Sequence, residues 1–213
     1  MIDTVTHTPV RDSKDEGRTQ VQRRNEAERR ILDAAAAIAA EGGLEAITLA
    51  EAGVRAGYSR GLPAHYFRSK NDLISALGDY IIELFLARRR ESHNHLTGFD
   101  GLLAAIKYYF EAPLENPEIV RAFHAVLAGA LNTPAIATTV ARLNRESAAE
   151  IASAISAGVK AKTLRSDINP AIEGVVILAT IRGVIAQWLI DPSIDLKRTG
   201  AEFISALKRR LIK

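Results

Sequence analysis

The chain has 213 residues, of which 47% are apolar and 25% charged, and it has no cysteine. That describes a soluble globular chain with enough residues for one good core or two modest domains, and it excludes disulfides, thiolate metal sites and cysteine nucleophiles. Lys and Arg number 28 against 25 Asp and Glu, a formal net charge of +3, so no global field marks a nucleic-acid binder and any such function must sit in local residues.

Residues 1–22 are polar and read as a disordered N-terminal arm. Arg11, Lys14 and Arg18 are diluted by Asp12, Asp15 and Glu16, so a solvated tail is the expected state. The first residues have no apolar h-region, which predicts a cytoplasmic chain without a signal peptide. From Arg23 onward the pattern is helical. A first helix is expected over about 23–41, with Ile31, Leu32, Ala35, Ile38 and Ala39 as its apolar stripe and Gly42-Gly43 as its end. A second opens at Thr48, where Thr48-Leu49-Ala50-Glu51 fits a capping box, and runs to about Ala56. Gly57-Tyr58 makes a tight turn into a third helix from Ser59 to about Phe67, completing a helix-turn-helix.

Ser69 caps a long fourth helix to about His93, and a fifth covers about 100–112. Asn116-Pro117, Thr133-Pro134 and Asn169-Pro170 each place a capping residue before a proline at the first helical position. They predict helices near 117–131, 134–158 and 170–190, and Asp195 starts a ninth to about 211. The expected organisation is all-α, with nine helices, three in a small unit over 23–68 and six in a bundle over 69–213. The run Ile172 to Ile190 approaches membrane-spanning length. It carries Glu173, Arg182 and Gln187, which makes a helix buried in protein the better reading, with no membrane partner.

The third helix carries the chemistry. Ser59 is placed to cap it, and Pro63 loses an amide only where that loss is small. Bare Gly61 lets a partner approach the backbone. A helix start with Ser, Arg and Gly suits an anionic surface. Arg60 can make a bidentate contact to guanine, and Leu62 can meet a thymine methyl. A helix of about 12 Å fits end-on insertion into a groove. His65 and Tyr66 follow, able to donate to phosphates, and Lys70 opens the fourth helix, where its charge opposes the helix dipole and a phosphate would explain it. Singly, Arg60 and Lys70 read as solvated charges and Phe67 as core. The combination is the signal. No ExxH pair, HExxH, P-loop or GxGxxG is present, so neither an enzyme nor a metal or other cofactor is expected.

Thr48 through Leu73, TLAEAGVRAGYSRGLPAHYFRSKNDL, resembles the DNA-binding region of the TetR family of bacterial transcription regulators. The matching positions are Thr48, Ala56, Gly57, Tyr58, Ser59, Gly61, Tyr66, Phe67, Ser69, Lys70 and Leu73. The nine-helix layout also matches. The resemblance implies that Thr48, Tyr66 and Lys70 hold phosphates, that Arg60 and Gly61 face bases, and that His65 does one or the other. It implies a small-molecule effector, unidentified by the sequence, enclosed near Tyr108, Tyr109, Phe123, His124 and Gln187. It implies a homodimer through the last two helices, with Val175, Leu178, Arg182, Ile185, Phe203 and Leu207 in the interface. It also implies a double-stranded, palindromic operator, with release of a repressor by effector. Two departures stand out. Leu62-Pro63-Ala64 replaces the family's Thr-Leu-Tyr, and Gly53 replaces the usual Ala, an exchange that lets the second and third helices pack closer. The alternative expectation is a helical dimeric interaction module with a degenerate DNA-binding unit.

Overall fold

The computed structural model describes residues 19–92 and 97–213; Arg11, Lys14, Arg18 and the expected helix end at His93 lie outside them. Helix α1 (Gln20–Gly42) starts earlier than expected because Thr19 and Gln22 form a capping box. The Gln22 amide donates to Thr19 Oγ1 at 3.3 Å and the Thr19 amide to Gln22 Oε1 at 2.9 Å. α1 ends at Gly43, whose φ of +73° suits glycine. Helix α2 (Leu49–Arg55) is capped by Thr48, which accepts from the Glu51 amide at 3.1 Å. The expected return arm of that box is not the contact Glu51 makes. Its carboxylate accepts from Arg55 Nε at 3.0 Å, and Arg55 also reaches Glu41 at 2.8 Å.

The expected third α-helix is corrected. The chain turns at Gly57, where φ is +80°, and then forms one 3-10 turn over Leu62–His65. Proline explains the change. A residue at 63 with an N–H would close an α-helical bond to the Ser59 carbonyl, but Pro63 has none. That carbonyl accepts from the Leu62 amide at 3.1 Å instead, the tighter spacing of a 3-10 turn. The capping position moves to Gly61, with no side-chain cap, so Ser59 does not play its expected role. Eight α-helices, not nine, are therefore present among the described residues.

The remaining helices are α3 (Lys70–Ser92), α4 (Gly98–Glu115), α5 (Pro117–Gly129), α6 (Pro134–Lys160), α7 (Pro170–Ile190) and α8 (Leu196–Leu211). α5, α6 and α7 all begin at the expected prolines. Asn169 accepts from the amides of Ala171 and Ile172, whereas Asn116 and Thr133 make no side-chain cap bond. Asp195 accepts from the Arg198 amide at 3.0 Å, and Ser69 from that of Asp72 at 3.1 Å.

α1, α2 and the 3-10 turn close a small unit around Ile31, Ala35, Ile47, Ala52 and Phe67. This unit rests on α3 and α5. Tyr80 of α3 donates to Asp33 of α1 at 2.5 Å. Gly129, at the end of α5, lies so near Leu44 that a Cβ there would sit 2.3 Å from Leu44 Cδ1. Within the larger bundle, Ile106, Phe110, Phe123, Ile136, Ile155 and Ile177 are fully buried, each contributing about 1.5–3 kcal/mol through burial. α6 lies against α7, and a Cβ at Gly174 would meet the Ala148 carbonyl oxygen at 2.3 Å.

α7 is long and apolar enough to cross a membrane, but it buries Ile177, Leu178, Ile181 and Ile185 within the chain. This corrects part of the expected dimer surface. Leu178, Ile185 and Leu207 face inward, and Phe203 tilts against Phe110 at 6.2 Å. Val175 is exposed, together with Ile172, Val176 and Ile190.

Candidate nucleic-acid interface and effector cavity

The turn after α2 is seated by a close fit between the two departures noted in the sequence. A Cβ at Gly53 would lie 2.8 Å from the Ser59 carbonyl oxygen and 2.9 Å from both Cγ and Cδ of Pro63. Any side chain at 53 would push the turn outward, so Gly53 and Pro63 fit as a pair. The Pro63 carbonyl accepts from the amides of Tyr66 and Phe67 at 3.0 and 2.9 Å, and the buried Phe67 ring anchors the segment in the core.

This leaves Ser59, Arg60, Gly61 and His65 exposed and Leu62 half-buried. Arg60 has no partner among the described residues. Gly61 has an ordinary φ of −88°, and a Cβ there would meet nothing within 4 Å. Neither strain nor crowding inside the chain calls for glycine at that position, which leaves open space for a partner outside the chain. Thr48 spends an oxygen lone pair on the Glu51 amide and keeps its O–H to donate outward.

Lys70 is placed differently from expectation. Its Nζ donates to the Glu45 carbonyl at 2.8 Å and lies 3.9 Å from the Glu45 carboxylate. A protein carbonyl therefore accounts for a cation at the start of α3 without a phosphate, and Lys70 ties α3 to the segment before α2. Tyr66 is half-buried, with the Arg24 guanidinium 5.9 Å above its ring.

Sequence reasoning missed Arg23 and Arg24. Together with Gln20, Leu62, His65 and Tyr66 they line an open groove of about 330 Å³ between the start of α1 and the turn. The Arg23-Arg24 pair was visible, but the arm boundary at residue 22 hid its neighbourhood. The capping box at Thr19 was the signal that α1 begins earlier and carries these arginines toward the turn.

In the bundle, α5, α6 and α7 line a second cavity of about 410 Å³ that is open to solvent, with His124, Leu127, Val140, Asn144, Arg182 and Leu189 among its walls. Of the residues expected around an effector, His124 lines it directly. Phe123 is buried beneath it, stacked on Phe85 at 4.3 Å, and Tyr109 is buried 5.2 Å from Phe85. Tyr108 is half-buried on α4 and Gln187 is exposed, and neither lines the cavity.

Arg182, expected between subunits, instead turns across α7 toward α6. Its Nη1 donates to Asn144 Oδ1, and its guanidinium lies 5.9 Å over the Phe123 ring. Nε and Nη2 are buried with no hydrogen-bond partner among the described residues, a state costing about 1–3 kcal/mol or more. Burial lowers the Arg182 pKa from its usual value. Burial, and then the nearby Arg182 charge, push His124 down to about 4. His124 is thus a neutral ring at neutral pH. Among the described residues no cluster of His, Asp and Glu has the makings of a metal site.

Residues 31–77 match the family model for bacterial regulatory proteins of the tetR family. Residues 100–212 match the model for the C-terminal part of BetI-type transcriptional repressors. Among solved structures, SmeT, the repressor of the Stenotrophomonas maltophilia multidrug efflux pump SmeDEF, superposes with a TM-score of 0.71 at 23% identity, over 88% of this chain and 93% of that one. FadR of Bacillus subtilis, solved with stearoyl-CoA, gives 0.69 at 18%, over 84% and 96%. The ketosteroid regulator KstR2 of Mycobacterium tuberculosis gives 0.66 at 20%, over 92% and 98%. At these identities the likeness shows a shared fold. No curated protein matches the chain.

Proposed function

The chain belongs to the TetR family of bacterial regulatory proteins, and from that premise we propose that it is a cytoplasmic, ligand-responsive repressor that binds a palindromic operator as a homodimer. The observation that carries this reading is the turn seated on Gly53 and Pro63. It presents Arg60 without a partner among the described residues, beside Gly61, where a side chain would find open space. Arg60 reads guanine, Leu62 meets a thymine methyl, and the Gly61 backbone lies against the duplex. Thr48, Ser59, His65 and Tyr66 contact the backbone of the DNA. Lys70 reaches phosphate only by exchanging its bond to Glu45. The exposed apolar positions Ile172, Val175 and Val176 of α7 suit a two-fold partner. Two copies present their turns about 34 Å apart, or a multiple of that.

The effector site is the α5–α7 cavity. Its wall leads directly to the DNA-binding unit, since α5 carries His124, Leu127 and Ala128 on the cavity and Gly129 against Leu44. Effector binding shifts α5 and tilts α3, which is held to α1 through Tyr80 and Asp33. The recognition turns then lose their spacing. A coupling of about 1–3 kcal/mol suffices for release, provided that the effector prefers the released state.

The rival reading, an interaction module with a degenerate DNA unit, rests on the replacement of a recognition α-helix by a 3-10 turn. The fit of Pro63 into the space at Gly53 favours a built turn over a damaged helix. Selection from random duplexes tests the choice. Enrichment of an inverted repeat supports the repressor, and failure to enrich any sequence over many rounds supports the module.

A further inference from the structure

Arg182 lines the cleft between α5, α6 and α7, while the edge of its guanidinium that carries Nε and Nη2 is buried away from the opening, near enough to the buried Tyr109 to be influenced by it. Arg182 spends Nη1 on Asn144, which leaves Nε and Nη2, two donors on one edge of the guanidinium, buried and unmet. That edge offers two parallel N–H groups at the spacing of the two oxygens of a carboxylate. Among the described residues no acidic side chain lines the cavity, and the rest of its wall is largely apolar, with Leu127, Val140, Ala186 and Leu189. His124, neutral beside the arginine, adds no second charge.

The geometry points to an amphipathic carboxylate as the effector, its head group paired with the Nε–Nη2 edge of Arg182 and its hydrocarbon body along α5 and α7. This rests on the reading of the cavity as the effector site. A cationic ligand would face Arg182 without a counter-charge. A neutral ligand would leave the two donors short of a charged acceptor. Because the edge is shielded from water in this structure, the carboxylate reaches it only by moving a side chain of the wall. Binding is thereby coupled to a rearrangement between α5, α6 and α7, the change an effector must bring about.

The test uses the full chain and matched probes: decanoate and 4-phenylbutanoate, their primary amides, and decyltrimethylammonium. Binding is read by calorimetry and by thermal shift, and operator affinity is followed separately by anisotropy. At least one carboxylate is expected to bind ten-fold or more tighter than its amide, with no binding of the cation. Arg182→Gln should bring the carboxylate to the level of its amide. Arg182→Lys, which keeps the charge but loses the paired edge, should fall between the two, and it serves if the Gln variant does not fold. Amide or cation binding as tight as carboxylate overturns the inference, as does binding of no carboxylate in the set. So does an Arg182→Gln chain that loses its dimer while keeping its carboxylate preference, because the edge would then belong to the partner subunit. Carboxylate binding through Arg182 in a chain that recognises no DNA sequence sinks the repressor reading and leaves this one standing. Sequence-specific DNA binding without carboxylate preference does the reverse.

Discussion

Arg60 at the turn after α2 and Arg182 in the bundle both hold donors with no partner among the described residues, but they do so under opposite conditions. Arg60 is exposed, so water satisfies it until a partner arrives, and its readiness costs the fold almost nothing. Arg182 keeps two donors away from water, and that readiness is destabilising throughout the life of the fold. The turn around Arg60 is therefore a rigid display, fixed by packing at Gly53, Pro63 and Phe67. The cavity around Arg182 is strained by its own chemistry, and that suits an element meant to change state.

The sharpest way to break this contrast is to spoil the display. Gly53→Val forces a side chain into the 2.8 Å gap to Ser59 and onto the Pro63 ring. It should cost about 1–3 kcal/mol in urea denaturation and abolish specific DNA binding, while effector binding survives. Retained operator affinity would show that the turn tolerates displacement.

Acid probes the other region. His124 has its pKa lowered from 6.5 to about 4. The unfolded chain therefore binds a proton between those values that the folded chain does not. Stability from this group is complete above pH 6.5 and is lost as pH falls toward 4, by up to about 3 kcal/mol. Denaturation midpoints across that window should show the slope, and His124→Leu should flatten it.

Arg182→Met removes the unmet donors and keeps an apolar stem. Stability should rise by about 1–2 kcal/mol in the same denaturation assay, and response to effector should be lost. A destabilised Met variant would mean that Arg182 is better satisfied than its surroundings indicate. Arg60→Ala should do the opposite, leaving stability within about 0.5 kcal/mol and costing about 1–3 kcal/mol of operator binding at one base position. Equal losses on all duplexes would remove Arg60 from base readout. Lys70→Ala is the smallest effect. Loss of the bond to the Glu45 carbonyl should cost about 0.5–1 kcal/mol of stability. A salt slope for DNA binding that also falls by about one would restore its phosphate contact.

Helix positions were legible wherever a local signal fixed the backbone. Pro117, Pro134 and Pro170 each began a helix because a proline after Asn or Thr leaves the chain few alternatives. The third helix was not, because its outcome hung on a single missing amide at Pro63 and on space at Gly53, which lies ten residues away in sequence. The display residues Arg60 and Gly61 could be read from residue type, since exposure requires no partner to be known. The cavity could not. His124 and Phe123 resembled any aromatic stripe, and Arg182 looked like an interface residue until α6 brought Asn144 against it. Leu178, Ile185 and Leu207 were misread for the same reason, as the almost uniformly apolar α7 does not reveal in sequence which face its own chain covers.

The proposed reading of DNA by the turn that displays Arg60 can be put to direct trial. It is tested most directly by fluorescence anisotropy of the full chain on duplexes from the flank of its own gene, and on the operator enriched by selection, against unrelated competitor at two salt concentrations. Salt-sensitive, competitor-resistant binding of two subunits per site is expected, weakened by Arg60→Ala at one base position only. Binding no tighter than to competitor on both kinds of duplex, or an Arg60→Ala chain that binds as the parent does, would contradict that reading.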